Sequence, residues 1–208
     1  MAKHVRPLTD LEQLVHWWHR HQAEWLANEA DGIRNGLLQD LFAIRRQLEL
    51  TPDKEHNSLA LVEGLYHELE ALGNRLSSPY LHDSLPLAIQ DALQQWPADL
   101  ALSLSIPPHW PREPLEYVAL LQSMIEHLRQ MLIALPSKPQ LLTLSLAEGH
   151  AGKQLSLQID DDTATIPSLI AYFEAADWAY HLNTFEILTG GKVSLSCTGN
   201  TILWQLTW

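Results

Sequence analysis

The sequence predicts an α+β protein, in which an N-terminal antiparallel pair of helices precedes a half where helices pack on a mostly antiparallel sheet. Three observations support this prediction. Apolar residues recur every three or four positions in the first 80 residues, and they alternate with polar residues in short segments after residue 100. In addition, 46% of the 208 residues are hydrophobic and 18% are charged, as is typical of a folded globular chain.

The first half begins with helical spacing. Thr9 or Asp10 can cap a helix that starts near Leu11, because a side-chain oxygen there accepts a hydrogen bond from a free backbone N–H group. An apolar seam then runs from Ile33 to Leu48 at spacings of four, four, three and four residues. Thr-Pro-Asp at residues 51–53 ends it, because proline disfavours helical geometry in the residue before it.

A second apolar seam, from Val62 to Leu76, ends at the Ser-Ser-Pro of residues 77–79. Two helices joined by so short a link pack antiparallel. Because such a hairpin cannot bury its seam alone, we expect a homodimer with a four-helix bundle; packing on the second half of the chain is the alternative. The expected dimer interface is Ile33, Leu37, Leu41, Ile44, Leu48, Val62, Leu65, Leu69 and Leu72.

The second half changes character near Asp83. We expect two regions, a dimerisation helical hairpin at residues 1–80 and an α/β sandwich at residues 81–208. The expected elements of the sandwich, in order, are a helix over about 85–96, a strand within 100–106, a helix over about 114–135, strands at 141–149 and 154–160, a helix, whole or broken, over 166–190, and a hairpin over 192–208.

The charge of the chain argues against two classes of partner. It holds 25 acidic and 13 basic residues, a net charge of -12, and no run of Lys or Arg exceeds two. Nucleic-acid binding needs a basic face that displaces counterions, and an anionic membrane surface needs one as well. We therefore expect neither nucleic acid nor membrane as a partner.

Glycine and cysteine are scarce. The nine glycines never occur as G-x-G, so most glycine-rich phosphate-binding loops are excluded. The single cysteine, Cys197, can form neither an internal disulfide nor a cysteine-based zinc site. The N-terminus lacks the apolar core of a signal peptide, and no apolar run approaches the roughly 20 residues that span a bilayer. We therefore expect a cytoplasmic protein.

Five short stretches follow this order of elements. Residues 33–41 read IRNGLLQDL, residues 78–87 read SPYLHDSLPL, Gln130 lies four residues after Glu126, residues 159–162 read IDDD, and residues 188–193 read LTGGKV. They resemble the phosphoacceptor, hinge, ATP-site helix, strand-end and last-hairpin motifs of sensor histidine kinase transmitters of the NarX/DesK class. The resemblance implies a dimerising helical hairpin followed by a histidine-kinase-ATPase-like α/β sandwich.

The phosphoacceptor stretch departs from that class at two positions. Arg34 occupies the position of the phosphoacceptor histidine, and a guanidinium offers no nucleophilic lone pair at neutral pH. Asn35 occupies the position of the acidic residue that would act as general base, and an amide cannot take up the proton. We therefore expect no catalytic residue.

The ATP-site positions depart as well. Gln130 stands where the class has an asparagine that holds Mg²⁺, and its longer side chain would place the metal poorly. Asp162 and Ala164 stand where two glycines let a nucleotide approach the backbone, and residues 176–182 contain no glycine for a lid. Asp160 could still accept a hydrogen bond from an adenine amine. We expect no cofactor and count four degenerate ATP-site positions: Glu126, Gln130, Asp160 and Asp162.

The resemblance and its departures predict a catalytically inactive histidine-kinase-like signalling protein. In the class, the bundle face around the acceptor position docks the receiver domain of a response regulator. In this chain that face holds Arg34, Asn35, Leu38 and Phe42. We expect it to bind a receiver domain, or another signalling protein such as a kinase, without phosphorylating it.

Two other functions stay open. A histidine phosphotransferase would relay phosphate without ATP through His16, His19, His21 or His67, and a scaffold of unrelated biology could use the same fold. His16 and His19 share a helical face and could hold a metal weakly, but a polar helix face is the simpler interpretation, and we expect no metal site.

Two further patterns have two interpretations each. Trp17, Trp18 and Trp25 of the first helix are either buried against a core or a second subunit, which we expect, or exposed as a docking patch. The acidic run of residues 160–162 is either a cation site or, as we expect, a solvated loop.

Overall fold

The computed structural model describes residues 10–50, 56–135, 138–149, 152–161 and 166–208. Thr9, the helix stop at residues 51–53, and two of the positions compared with an ATP site, Asp162 and Ala164, lie outside these ranges. None of the helices in the described ranges combines the length and the apolar character needed to cross a bilayer.

The N-terminal region is helical. α1 (Asp10–Gly32), one π-helical turn (Ile33–Leu37) and α2 (Leu38–Leu50) follow one another without a break, and α3 (His56–Leu76) runs back beside them. Arg45 of α2 pairs with Glu63 near the start of α3 at 3.7 Å. Arg34 meets Gly73 near the end of α3. The predicted antiparallel hairpin is therefore present within one chain.

The second half combines helices with one mixed sheet, so the α+β prediction is confirmed. The strand order is β1-β2-β3-β5-β4, with β1 parallel to β2 and every other pair antiparallel. The elements are α4 (Leu85–Gln94), β1 (Leu102–Ser105), α5 (Leu115–Ala134), β2 (Leu141–Gly149), β3 (Gly152–Asp160), α6 (Ile166–Phe173), α7 (Ala176–Thr189), β4 (Lys192–Thr198) and β5 (Thr201–Thr207).

The core lies between the helices and one face of the sheet. Alternate residues of β3 show this, because Leu155, Leu157 and Ile159 are fully buried, whereas Gln158 on the other face is only half-buried. The apolar face of α5 covers the same side of the sheet, and Met124, Ile125 and Leu128 are inaccessible to solvent. The alternating apolar residues of the strands and the helically spaced apolar residues of α5 thus pack into one core.

The helix expected over residues 166–190 is broken, and Glu174 and Ala175 separate α6 from α7. Gly190 ends α7 in the left-handed conformation, with φ of 64°. This backbone geometry favours glycine, because a side chain there would be strained.

α1 also packs on the second half of the chain, where it contacts α5 and α7 as well as α3. Ala23, Ala27 and Ala30 are at most 5% exposed. Their small side chains allow a close approach between helices. The division at residue 80 stays a prediction, since α1 joins the hairpin to the sandwich.

Candidate functional site

The long N-terminal helix changes its winding where the docking residues were predicted. The backbone N–H of Leu38 donates to the carbonyl of Ile33, five residues back, instead of to the residue four back. Such π-turns are rare and occur frequently at functional sites. A one-residue insertion of this kind turns every later side chain by about 100° around the helix. The turn therefore decides which way the residues after it face.

The guanidinium of Arg34 lies at the C-terminal end of α3. It donates to the carbonyl oxygens of Gly73, at 3.2 Å, and of Ser77. It also donates to the side-chain oxygen of Asn74 at 3.3 Å, and it pairs with Asp31 at 3.4 Å. The Gly73 carbonyl also accepts from the Ser77 backbone N–H, whereas the Ser77 carbonyl lies just past the helix, where carbonyls lack helical partners, so a cation that binds both caps the helix end. Arg34 therefore holds α3 and the following hinge against the π-turn.

The four predicted docking residues are not equally accessible. Asn35 is exposed, and Phe42 is 61% exposed although it is large and apolar. Leu38 is buried, at 8% exposure. The side chain of Arg34 is 19% exposed and already bonded. In one chain, Asn35 and Phe42 are thus the two of these residues that a partner could reach.

The predicted dimer seam is incompletely covered in a single chain. Leu37, Ile44, Leu65 and Leu72 are between 36% and 50% exposed. The remaining members are half-buried: Ile33, Leu41, Leu48, Val62 and Leu69. The seam thus offers apolar surface to a partner.

Glu126 and Gln130, two of the positions compared with an ATP site, form hydrogen bonds within α5. Both carboxylate oxygens of Glu126 accept hydrogen bonds from Arg129, at 2.6 and 2.7 Å. Gln130 donates to the same carboxylate at 3.1 Å. The hydrogen bonds from Arg129 lower the pKa of Glu126, so the carboxylate is ionised at neutral pH. A metal ion or a water at this carboxylate would compete with Arg129 and Gln130.

Asp160 is engaged in a similar way. Its carboxylate accepts a hydrogen bond from the Thr201 hydroxyl at 2.6 Å and two from the Gln158 amide at 2.9 and 3.1 Å. The next residue, Asp161, is buried, and its backbone N–H donates to the carbonyl of Asn200. An adenine amine would have to compete with these partners for Asp160.

A layer of aromatic rings fills the space between α5, α6 and α7. The ring of His127 on α5 stacks on Trp178 at 5.4 Å and on His181 at 5.0 Å between ring centres. Trp178 is fully buried and also packs on Phe173 and Trp204. The layer fills part of the space between α5 and α7, and a cavity of about 250 Å³ remains beside His181, between Ser123 of α5, Thr184 of α7 and Ala23 of α1.

The same layer sets the protonation of its members. Desolvation by burial lowers the pKa of His127, and the neighbouring His181 lowers it further. The Tyr172 hydroxyl lies 3.0 Å from His127 Nε2, and desolvation raises the pKa of Tyr172. At neutral pH the tyrosine is therefore protonated and the histidine neutral. Sequence reasoning missed this layer, although the spacing of Trp178 and His181 placed both on one helical face.

A second missed contact joins α1 to α5. Arg20 donates to the carboxylate of Glu116 at 2.7 Å, and Glu116 is 3% exposed. Desolvation raises the pKa of Glu116, but the hydrogen bonds from Arg20 and from its own backbone outweigh this effect and lower it overall. The sequence offers no signal for this pair, because 96 residues separate its members.

The four candidate relay histidines lie in different surroundings. His16 and His19 are half-buried, and burial lowers the pKa of His19. His21 is exposed and stacks on Trp17 at 5.2 Å. His67 on α3 is 76% exposed, with Nδ1 3.7 Å from a Glu70 carboxylate oxygen. Within the described residues, no three His, Cys, Asp or Glu side chains cluster as metal ligands would.

A cleft of about 400 Å³ separates the end of the hairpin from the sandwich. Arg75 and Ser77 line one side, and Glu126 and Gln130 of α5 line the other. Glu126 and Gln130, which were compared with an ATP-site helix, thus lie across the cleft from the residues of the hinge.

No protein-family model matches the chain, and no curated protein matches it. Among solved structures, it is similar to the histidine kinase AdeS of Acinetobacter baumannii, at a TM-score of 0.40 and 16% identity, over 90% of this chain and 94% of that chain. It is also similar to the histidine kinase domain of the blue-light activated kinase EL346 of Erythrobacter litoralis, at a TM-score of 0.46 and 12% identity, over 89% and 93%. A bacterial phosphotransferase is similar at a TM-score of 0.37 and 16% identity, over 97% and 98%.

Proposed function

We propose that this chain is a catalytically inactive, histidine-kinase-like signalling protein. It forms a homodimer through the apolar seam of its hairpin and binds the receiver domain of a response regulator without phosphorylating it. The observation that carries the proposal is the place of Arg34. The residue at the phosphoacceptor position cannot accept a phosphoryl group, and its guanidinium is bonded to the end of α3.

The nucleotide-site positions support the same conclusion. Arg129 occupies the carboxylate of Glu126, and Thr201 occupies that of Asp160. The aromatic layer around Trp178 fills part of the space between α5 and α7. An active site would need these groups free for Mg²⁺ and adenine. The acceptor and the ATP site are thus altered independently.

The docking surface is the exposed part of the face around the π-turn. Phe42 supplies an apolar contact with 61% of its surface exposed, and the exposed Asn35 supplies an amide within the π-turn. Exposed aromatic residues of this kind often carry much of the binding energy of an interface. Leu38 is buried and supports this surface from the interior.

Nucleotide binding and phosphoryl transfer test the loss of activity. The purified chain is titrated into a fluorescent ATP analogue with Mg²⁺, and it is separately incubated with labelled ATP and receiver domains from the same organism. We expect no saturable binding at micromolar concentrations and no label on either protein. Micromolar binding of the analogue, or label on the chain, would contradict the proposal.

Receiver binding tests the docking face. We expect one or more of these receiver domains to bind the chain, and the Phe42→Glu variant to bind at least tenfold more weakly, about 1.4 kcal/mol or more. Ile133→Glu is the matched control, because Ile133 is an exposed apolar residue on α5, away from the π-turn. A receiver that binds both variants equally would dock elsewhere.

His67 favours a second candidate, an ATP-independent histidine phosphotransferase. A carboxylate near Nδ1 would orient the ring, so that Nε2 of this exposed side chain could accept a phosphoryl group from a receiver. Incubation with a phosphorylated receiver would then label the chain with an acid-labile phosphate. Label that is lost in His67→Ala, but kept in His82→Ala, would favour this function over simple docking; absence of label would exclude it.

A further inference from the structure

The outer face of α1 is apolar. Leu11, Leu14, Trp17, Trp18 and Trp25 are between 57% and 69% exposed, and together they form what we call the tryptophan face. At about 100° per residue, these five side chains fall within about 120° of the helix circumference. The buried alanines of α1 lie on the opposite side, toward the rest of the molecule.

The size and composition of the tryptophan face are those of an interaction site. Five large side chains exposed to this degree offer apolar area on the order of 500 Å². A patch of that size on a single chain is frequently functional, and tryptophan is enriched among residues that dominate binding energy. Trp17 is also held in place, because its ring stacks on His21 at an interplanar angle of 9°.

Within the described residues, the charges that α1 carries are mostly acidic. α1 holds five acidic residues and one basic residue, Arg20. The guanidinium of Arg20 is turned away to Glu116. Glu24 and Glu29 are exposed beside the face, and the side chain of Asp31 is 60% exposed. A partner is therefore favoured when its own apolar stripe is flanked by cations.

A second copy of this chain fits the tryptophan face poorly when the two α1 helices run parallel. Leu11, Trp18 and Trp25 repeat at seven residues, which makes Glu24 and Glu29 the flanking g and e positions of the heptad. In a parallel pair of α1 helices, Glu24 of each copy would face Glu29 of the other, and like charges there are repulsive.

We propose that the tryptophan face docks an amphipathic helix of another protein, whose apolar stripe is flanked by Lys or Arg. A helix laid along α1 would bury the tryptophans and place its cations opposite Glu24 and Glu29. This surface shares no residue with the face around Asn35 and Phe42.

Two synthetic peptides test the proposal. Both are helices of about 18 residues with one leucine stripe; lysine flanks the stripe in one peptide and glutamate in the other. Anisotropy of the labelled peptides is measured against the full chain. We expect saturable binding of the lysine peptide, at least tenfold tighter than the glutamate peptide, and at least tenfold weaker in Trp18→Ala/Trp25→Ala. Ile133→Ala, at another exposed apolar site, is the control and should bind as the wild type does.

A charge exchange gives a second, independent readout. Glu24→Lys/Glu29→Lys should reverse the preference, so that the glutamate peptide binds more tightly than the lysine peptide. These positions are exposed, and circular dichroism checks that the helix content is unchanged. Three results would overturn the proposal: no preference between the peptides, lysine-peptide binding that survives loss of both tryptophans, or a lower sedimentation mass of the tryptophan variant, since a second copy would then occupy this face.

Discussion

Arg34 lies in the π-turn and binds the C-terminal end of α3. Its guanidinium donates to the carbonyl of Gly73, which also accepts from the Ser77 backbone N–H, and to the carbonyl of Ser77 just past the end of α3. Truncation to alanine removes these bonds and leaves the carbonyl of the buried Ser77 without this partner. We expect Arg34→Ala to lower the free energy of unfolding by about 1–3 kcal/mol in urea titrations.

Arg46→Ala is the matched control for Arg34→Ala. Arg46 is 63% exposed and pairs with Glu49 one turn along the same helix, and exposed pairs of this kind contribute little. Its midpoint of unfolding should equal that of the wild type. If both variants unfold alike, Arg34 does not cap α3.

Glu116 gives a prediction about pH. Its pKa is lowered in the folded protein, so the stabilisation is complete above the ordinary carboxyl pKa and is lost as pH falls through the folded value. Glu116→Gln should cost about 1 kcal/mol at pH 7, a modest figure because Arg20 is 57% exposed and solvent screens the pair.

The free energies of unfolding of the wild type and of Glu116→Gln should therefore become more alike as the solution is acidified. Urea midpoints measured at several values from pH 7 down to pH 3 check this, because the difference should shrink only below the ordinary carboxyl pKa. The exposed Glu29→Gln is the control and should show no such convergence. A constant difference between wild type and Glu116→Gln across that range would contradict the assignment.

At the scale of elements, the entry into the last hairpin is the most constrained turn. A Cβ added to Gly191 would collide with the carbonyl oxygen of Thr207 and lie 2.8 Å from the Thr189 hydroxyl. We expect Gly191→Ala to destabilise the chain by roughly 2 kcal/mol or more, because backbone atoms of β5 would have to move. Thermal or urea unfolding measures the change.

Gly64→Ala is the opposite case on α3. A Cβ there meets nothing within 4 Å, and alanine is the better helix former by up to about 1 kcal/mol. This variant should be at least as stable as the wild type. A loss of stability at Gly64 equal to that at Gly191 would show that close approach does not explain the Gly191 effect.

The elements were largely predictable because each is encoded in local spacing. The alternation at residues 154–160 predicted β3, and the three-four spacing after residue 115 predicted α5, whose ends fall within one or two residues of the expectation. The π-turn was not predictable. An inserted residue disturbs the apolar spacing no more than an ordinary irregularity, and only the Leu38-to-Ile33 hydrogen bond reveals it.

For the whole molecule, the sharpest test concerns the dimer. Leu65 and Leu72 leave 47% and 36% of their surface exposed in one chain, and a partner hairpin would bury them. We expect the wild type to sediment as a dimer and Leu65→Glu/Leu72→Glu as a folded monomer, because a buried unpaired carboxylate is costly. Ile133→Glu, 51% exposed on α5, should stay dimeric. A monomeric wild type would contradict the proposed homodimer.

The candidate site was likewise predictable only in part. The absence of a nucleophile at Arg34 and of flexible glycines at residues 176–182 followed from residue types alone, since chemistry belongs to the side chain. What Arg34 does instead, which docking residue is buried, and how His127 meets Trp178 involve partners 39 to 51 residues away. No local pattern encodes such contacts.

The expectation for Trp17, Trp18 and Trp25 was burial in a core or a dimer, but in the single chain all three are exposed. The sequence predicted the helix that carries them, because helical spacing is local. Its outward face was decided by Ala23, Ala27 and Ala30, whose small side chains fit against the neighbouring helices. By itself the sequence determined most of the elements and the residue types at the compared positions, while only the tertiary structure decided which faces are covered, because burial depends on residues that meet across the fold.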